Sequence, residues 1–233
     1  MLRETRKLHR WLMLFAGLQF LIWSISGVYM VLVNIHFIHG ESLITKEAQP
    51  LPAEAVQYDI SALLERYPMA TNIRLGLLVD KPVYRFKQNG NDVMVIAETG
   101  KVVPAISETL AQRIASNSLQ QEQEISSISL IVDNPPSEIG ARRLPLWQVK
   151  FAGISGDTLY INPHNGEVAT IRHNSWRLFD AFWRLHIMDY IEGDDINNIL
   201  LNVFTIAGFL AVLAGLVLLY LRLTRSNEEE PQL

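Results

Sequence analysis

The chain has 233 residues, a formal net charge of −4, 49% apolar residues and no cysteine. Without cysteine there are no disulfides, thiolate nucleophiles, iron–sulfur clusters or covalently attached c-type haem, which leaves histidine and carboxylate as the strong metal ligands. So apolar a chain, with positive mean hydropathy, points to the membrane.

Residues 1–10 carry Arg3, Arg6, Lys7 and Arg10 against Glu4, and residues 11–33 then run for 23 positions without a charge. That exceeds the roughly 20 residues needed to cross about 30 Å of hydrocarbon, so a transmembrane helix is expected over 11–35. No small-x-small cleavage pattern follows it, so it reads as an uncleaved anchor. Along it Gln19, Trp23, Ser26, Gly27, Met30 and Asn34 share one helical sector, the side expected to face protein. A second uncharged run, 196–221, predicts a second span, followed by Arg222 and Arg225 in the tail 222–233. Basic flanks at both ends place both termini in the cytoplasm and the middle outside. Residues 41–195 hold 14 Lys+Arg against 20 Asp+Glu, a net of −6, which argues against nucleic acid as a partner.

Between the spans, 36–56 contains Pro50 and Pro52 and reads as a linker. A helix is expected at 59–66, then strands at 72–79, 82–88 and 92–97, separated by Asp80-Lys81 and Asn89-Gly90-Asn91. The order recurs, with a helix at 108–116, strands at 125–132, 146–151, 157–161 and 168–171, and a turn at Asn165-Gly166-Glu167. Such self-similarity suggests an internal duplication. Gly100 and Gly166 are expected at turn positions that need positive φ. Over 174–191, Trp176, Phe179, Trp183, Ile187 and Tyr190 fall on one helical face, with His186 at its edge. Arg177, Asp180 and Arg184 share the other face, and this pattern predicts an interfacial amphipathic helix. In the second span Ala207, Ala211 and Gly215 form a small-residue ladder suited to packing within the chain, across a homodimer or against another membrane subunit.

Pro82-Val83-Tyr84-Arg85-Phe86 with Glu98-Thr99-Gly100-Lys101-Val102, and Trp147-Gln148-Val149 with the stretch from Leu159 to Val168, resemble PepSY modules, small units of one helix on an antiparallel sheet. Leu8-His9-Arg10-Trp11-Leu12, Gly17-Leu18 and Ser26-Gly27 resemble the first helix of the PepSY-associated transmembrane family, and Arg184-Leu185-His186 its Arg-x-His segment. The resemblance implies an α+β protein of the bacterial inner membrane: two transmembrane helices flanking a periplasmic domain of two PepSY-like modules, 57–104 and 105–172. It also implies an accessory in redox or iron (siderophore) uptake or electron transfer, with haem b as cofactor, as in larger relatives that hold haem by histidines. His9 and His186 match the family motifs. A ligand pair would join His186 to His36 beyond the first span, or His9 to its counterpart across a two-fold axis. His39, His164 and His173 are expected in solvated loops. The alternative is a non-enzymatic interaction module that binds or regulates an exported partner such as a peptidase through a sheet edge. No nucleophile motif, HExxH or phosphate-binding glycine loop suggests an independent enzyme.

Overall fold

The computed structural model describes residues 2–45, 50–139, 144–191 and 193–228, with the side chains at 2–10, 12, 13, 15, 214, 215, 217, 218, 221, 222 and 225–228 left aside. The chain divides into two units, one of residues 1–34 and 178–233, the other of residues 35–177.

The second unit is built twice over from a helix followed by a four-stranded antiparallel meander. The first copy is α3 (Ile60–Arg66) with β1 (Ala70–Leu78), β2 (Lys81–Gln88), β3 (Asn91–Ile96) and β4 (Val102–Val103). The second is α4 (Glu108–Ser118) with β5 (Ile125–Ile131), β6 (Leu146–Phe151), β7 (Thr158–Ile161) and β8 (Val168–Arg172). Each helix starts where its cap dictates: the Asp59 side chain accepts from the Ser61 amide, and Ser107 from the Leu110 amide. Asn89 and Gly90, both at positive φ, make the tight turn that pairs Gln88 with Asn91.

Strand alternation divides each sheet into two faces. In sheet 1, Tyr84, Phe86 and Val95 pack with Leu63 of α3 on one side, while Val83 and Met94 on the other join α4 and sheet 2 in a shared core. That core holds Ala111, Ile114 and Ala115 of α4 with Val149, Phe151, Leu159, Ile161 and Ile171 of sheet 2. Gly166 is at φ +67° and an added Cβ would lie 2.5 Å from Leu78 Cδ1, so close packing reinforces its turn role. Residues of the 36–56 stretch also fold onto this unit. Ile38, at the end of α2 (Ile35–Ile38), is fully buried, and Ile44 bridges to Leu119.

The first unit contains α1 (Leu2–Leu32), most of α5 (Asn174–Ile187) and α6 (Ile199–Glu228). Here the expectation of two transmembrane helices is corrected: among the described residues no helix is long and apolar enough to cross a membrane. Within α1 lie Gln19, Ser24 and Ser26, whose polar groups interrupt the apolar run. Both helices nevertheless leave large apolar side chains exposed, among them Leu18, Ile25, Val31, Val203, Ile206 and Phe209. Surface of this kind marks membrane or partner contact. Helix packing runs through Gly208, where an added Cβ would sit 3.2 Å from the Phe20 ring, while Ala207 and Ala211 remain exposed. Gly215 lies in α6 among the positions whose side-chain surroundings are left aside.

Candidate functional site around His186

The polar stripe of α1 gives the first unit a strongly polar contact with a histidine. Gln19, Trp23 and Ser26 follow at spacings of four and three, so they stand one above another on a helix. His186, in the last turn of α5, meets that stripe. Its Nδ1 lies 2.8 Å from Ser26 Oγ, and the Trp23 indole donates to the His186 carbonyl at 2.8 Å. That carbonyl is one of the four an α-helix leaves unpaired at its C-terminus, and Trp23 satisfies it. An added Cβ at Gly27 would come 3.7 Å from His186 Cε1, so a glycine leaves the ring room beside the helix.

The hydrogen-bond pattern assigns the tautomer. Ser26 has one hydroxyl hydrogen, and Oγ lies 2.7 Å from the Ile22 carbonyl, the back-bond a helical serine makes to residue i−4. Oγ is then the acceptor toward His186, and Nδ1 carries the proton. Nε2 is left with its lone pair, the arrangement that orients an imidazole for ligation or for proton uptake. One turn below Trp23 on the same stripe is Gln19, 8% exposed, whose Nε2 has no hydrogen-bond partner among the described residues. A buried donor left unpaired costs roughly 1–3 kcal/mol, so this end of the stripe keeps unused polar capacity.

The chain around α5's end is fixed by two further arrangements. Arg184 donates to Asp180 at 2.8 Å, as the i, i+4 spacing predicts, and its guanidinium packs against Gly193, at φ +81°. The nearly buried Asp189 carboxylate accepts from the amides of Ile191, Gly193, Asp194 and Asp195, tying the α5–α6 connection to one residue. Phe179 and Phe182 meet Tyr29 with ring centroids 6.3 and 4.8 Å apart.

The other histidines lie elsewhere. His36 belongs to the second unit, is exposed, and has its Nδ1 2.8 Å from Glu41 Oε1. His9 lies outside the described side chains. His39 and His164 are exposed, as expected, but His173 is 3% exposed rather than solvated. Its Nε2 donates toward the carbonyls of Phe37 and Ile38, each at 3.1 Å, closing the end of α2. Among the described residues no group of three or more histidines and carboxylates is arranged to hold a metal ion.

A second polar assembly lies on the face of sheet 2 opposite α4. The fully buried Tyr160 donates to Glu138 at 2.6 Å and accepts from Gln148 at 2.7 Å. Glu138 in turn holds Arg177 at 2.7 Å, and Arg177 also reaches the Gly156 carbonyl. Burial, then the bond to Glu138, raises the Tyr160 pKa. Beside it the Arg172 guanidinium sits 3.9 Å over the Trp176 ring. Helical periodicity cannot reveal such contacts, which join residues 12 to 39 apart in the chain.

Residues 6–231 match the PepSY-associated TM region family. The chain belongs to that family. It is therefore a membrane-associated PepSY protein, and this rests on family membership rather than on a spanning helix among the described residues. No curated protein and no solved structure matches it. The two motif fragments separated by 160 residues, Ser26-Gly27 and Arg184-Leu185-His186, are the ones the fold brings into contact.

Proposed function

We propose that this membrane-associated PepSY protein is an accessory in redox or iron (siderophore) uptake, with His186 as the imidazole that holds a haem b group. The observation that carries the reading is the Ser26–His186 bond, which fixes Nδ1 as the protonated nitrogen and leaves Nε2 to ligate. Bound haem would supply one-electron chemistry. The protein's own contribution is to orient the ring through Ser26 and anchor the helix end through Trp23, whose indole lies beside the imidazole with ring centroids 6.5 Å apart. The residues present fit one such ligand: among the described side chains of its unit, His186 is the one histidine.

The test is the absorption spectrum of the full-length chain purified in detergent from haem-replete cells. A Soret band with α and β bands on reduction is expected, abolished in His186→Ala and retained in His164→Ala, whose ring is exposed. In Ser26→Ala the band should persist with a shifted reduction potential, because the ring loses its acceptor rather than its ligating nitrogen. Colourless protein with haem added would overturn the assignment.

A further inference from the structure

Among the described residues the first strand of sheet 1 has a neighbour on one side only: β1 pairs with β2 and with no other strand. The register decides what that edge presents. Leu78 and Lys81 close the two-residue turn, and Leu77 stands opposite Pro82, which has no amide hydrogen to give. Leu77 and, two residues back, Leu75 therefore direct their main-chain groups away from β2. Among the described residues no backbone hydrogen bond joins positions 71–79 to any element other than β2.

Along this edge runs an open groove of about 740 Å³, walled on its far side by Ile114, Asn117 and Ser118 of α4 and by Glu167. Its charge is uneven. Arg85, on β2, crosses over Gly76, where an added Cβ would lie 3.2 Å from its Nη1. It donates from Nε to the Asn165 carbonyl at 2.7 Å and from Nη2 to the outward Leu77 carbonyl at 3.0 Å. Both acceptors are neutral, and among the described residues Nη1 makes no hydrogen bond. Among the described residues that line the groove the one acid is Glu167, which pairs with Arg74 at 2.9 Å. Two guanidinium groups thus meet one carboxylate. Burial disfavours the charged form of Arg85, with Arg74 adding to that and Glu167 opposing it.

We propose that this edge is a docking site for an extended acidic segment of a partner protein, which adds as a strand beside β1 and places a carboxylate on Arg85. Main-chain pairing would use the outward amide and carbonyl of Leu75 and the outward amide of Leu77, whose carbonyl accepts from Arg85, and the carboxylate supplies Arg85 with a counter-charge. Positions 74–79 line about 20 Å of groove, the length of a six-residue strand rather than of a single anion. A cation on an edge strand can also serve to repel unwanted pairing. Any exposed charge would do that, whereas Arg85 is half-buried and reaches the edge through the gap a glycine leaves. The site lies wholly within the second unit and is independent of His186.

Fluorescence anisotropy with the full-length chain in detergent tests this, using three labelled octapeptides: alternating threonine and glutamate, the same with glutamine in place of glutamate, and the glutamate peptide N-methylated at every amide. The glutamate peptide is expected to bind about tenfold more tightly than the glutamine one, and the methylated one not at all. Arg85→Gln should abolish the preference for glutamate. Because Arg85 also holds two carbonyls, Arg74→Gln and Glu167→Gln provide a second pair at more exposed positions, the first weakening and the second tightening the glutamate peptide by about threefold. Equal binding of acidic and neutral peptides, binding by none of them, indifference to all three substitutions, or binding of the methylated peptide would each overturn the proposal. So would binding that competes with self-association of the chain, since a second copy would then be the occupant.

Discussion

Removing one oxygen atom tests the buried network of sheet 2. Tyr160→Phe keeps the ring, which is fully buried, and deletes the hydroxyl that joins Gln148 to Glu138. A hydrogen bond to a charged group contributes about 1.5–3 kcal/mol, and the stranded Gln148 amide adds about 1–3. The two overlap because they concern one hydroxyl, so the net loss should be about 3 kcal/mol. The unit of residues 35–177 has 143 residues, for which an unfolding entropy of about 2.1 cal/mol/K per residue gives roughly 0.3 kcal/mol/K. Its thermal transition in full-length protein, followed by near-ultraviolet circular dichroism, should therefore fall by about 10 °C. The double variant Tyr160→Phe, Gln148→Leu should lose less than the two single losses added together, because neither polar group is then left alone. The pH dependence supplies an independent readout. The Tyr160 pKa is raised in the folded protein, so above the unfolded value of about 10 the folded state holds a proton that the unfolded state gives up. The stabilisation is intact below that pH and is lost as pH rises toward the folded value, a slope that Tyr160→Phe should remove. A melting temperature within about 2 °C of the parent, with an unchanged alkaline slope, would refute the reasoning.

His173→Phe should loosen the segment that its ring ties down. Amide hydrogen exchange at 39–43 is expected to quicken while β6 and β7 stay protected, and unchanged exchange would place the holding contacts elsewhere. Two glycine substitutions separate backbone strain from packing. Gly90 at φ +83° has open space around its Cβ position, so Gly90→Ala should cost about 1 kcal/mol for the dihedral angle alone. Gly166→Ala meets Leu78 as well and should cost about 2–4 kcal/mol by chemical denaturation. Equal losses at the two positions would mean that the core yields around Leu78.

Much of the second unit could be read from local pattern. Alternating runs placed β2 and β6 within a residue of their observed ends, and Asn89-Gly90 marked a turn because only residues tolerant of positive φ sit there cheaply. The repeated order of helix and strands was visible for the same reason. Which face of each strand met which neighbour was not. Val83 and Tyr84 are adjacent and both nearly buried, one in the core shared with sheet 2 and the other beneath α3. An apolar run buried on both faces gives no alternation to read. The uncharged runs at 11–33 and 196–221 misled in another way: hydropathy weighs composition, and it does not register which side chains turn inward to bond one another.

Ser26 shows where that information lies. In a helix a serine already bonded to the carbonyl four residues back adds nothing that its own segment needs, and small residues on such a stripe are usually explained by close helix packing. Its significance comes from a partner 160 positions away, whose ring takes the lone pair that the back-bond leaves free. The sequence could mark the stripe as protein-facing and His186 as the edge of an apolar face. It could not join them, because helical phase is defined only within one helix, and the relative rotation of α1 and α5 is set by packing. Met30 and Asn34 share the stripe, but it is at Trp23 and Ser26 that donors and acceptors meet His186. The proton assignment follows from that meeting alone: were Ser26 alanine, Nδ1 would lose its acceptor, either tautomer could form, and Nε2 would no longer be fixed as the ligating nitrogen.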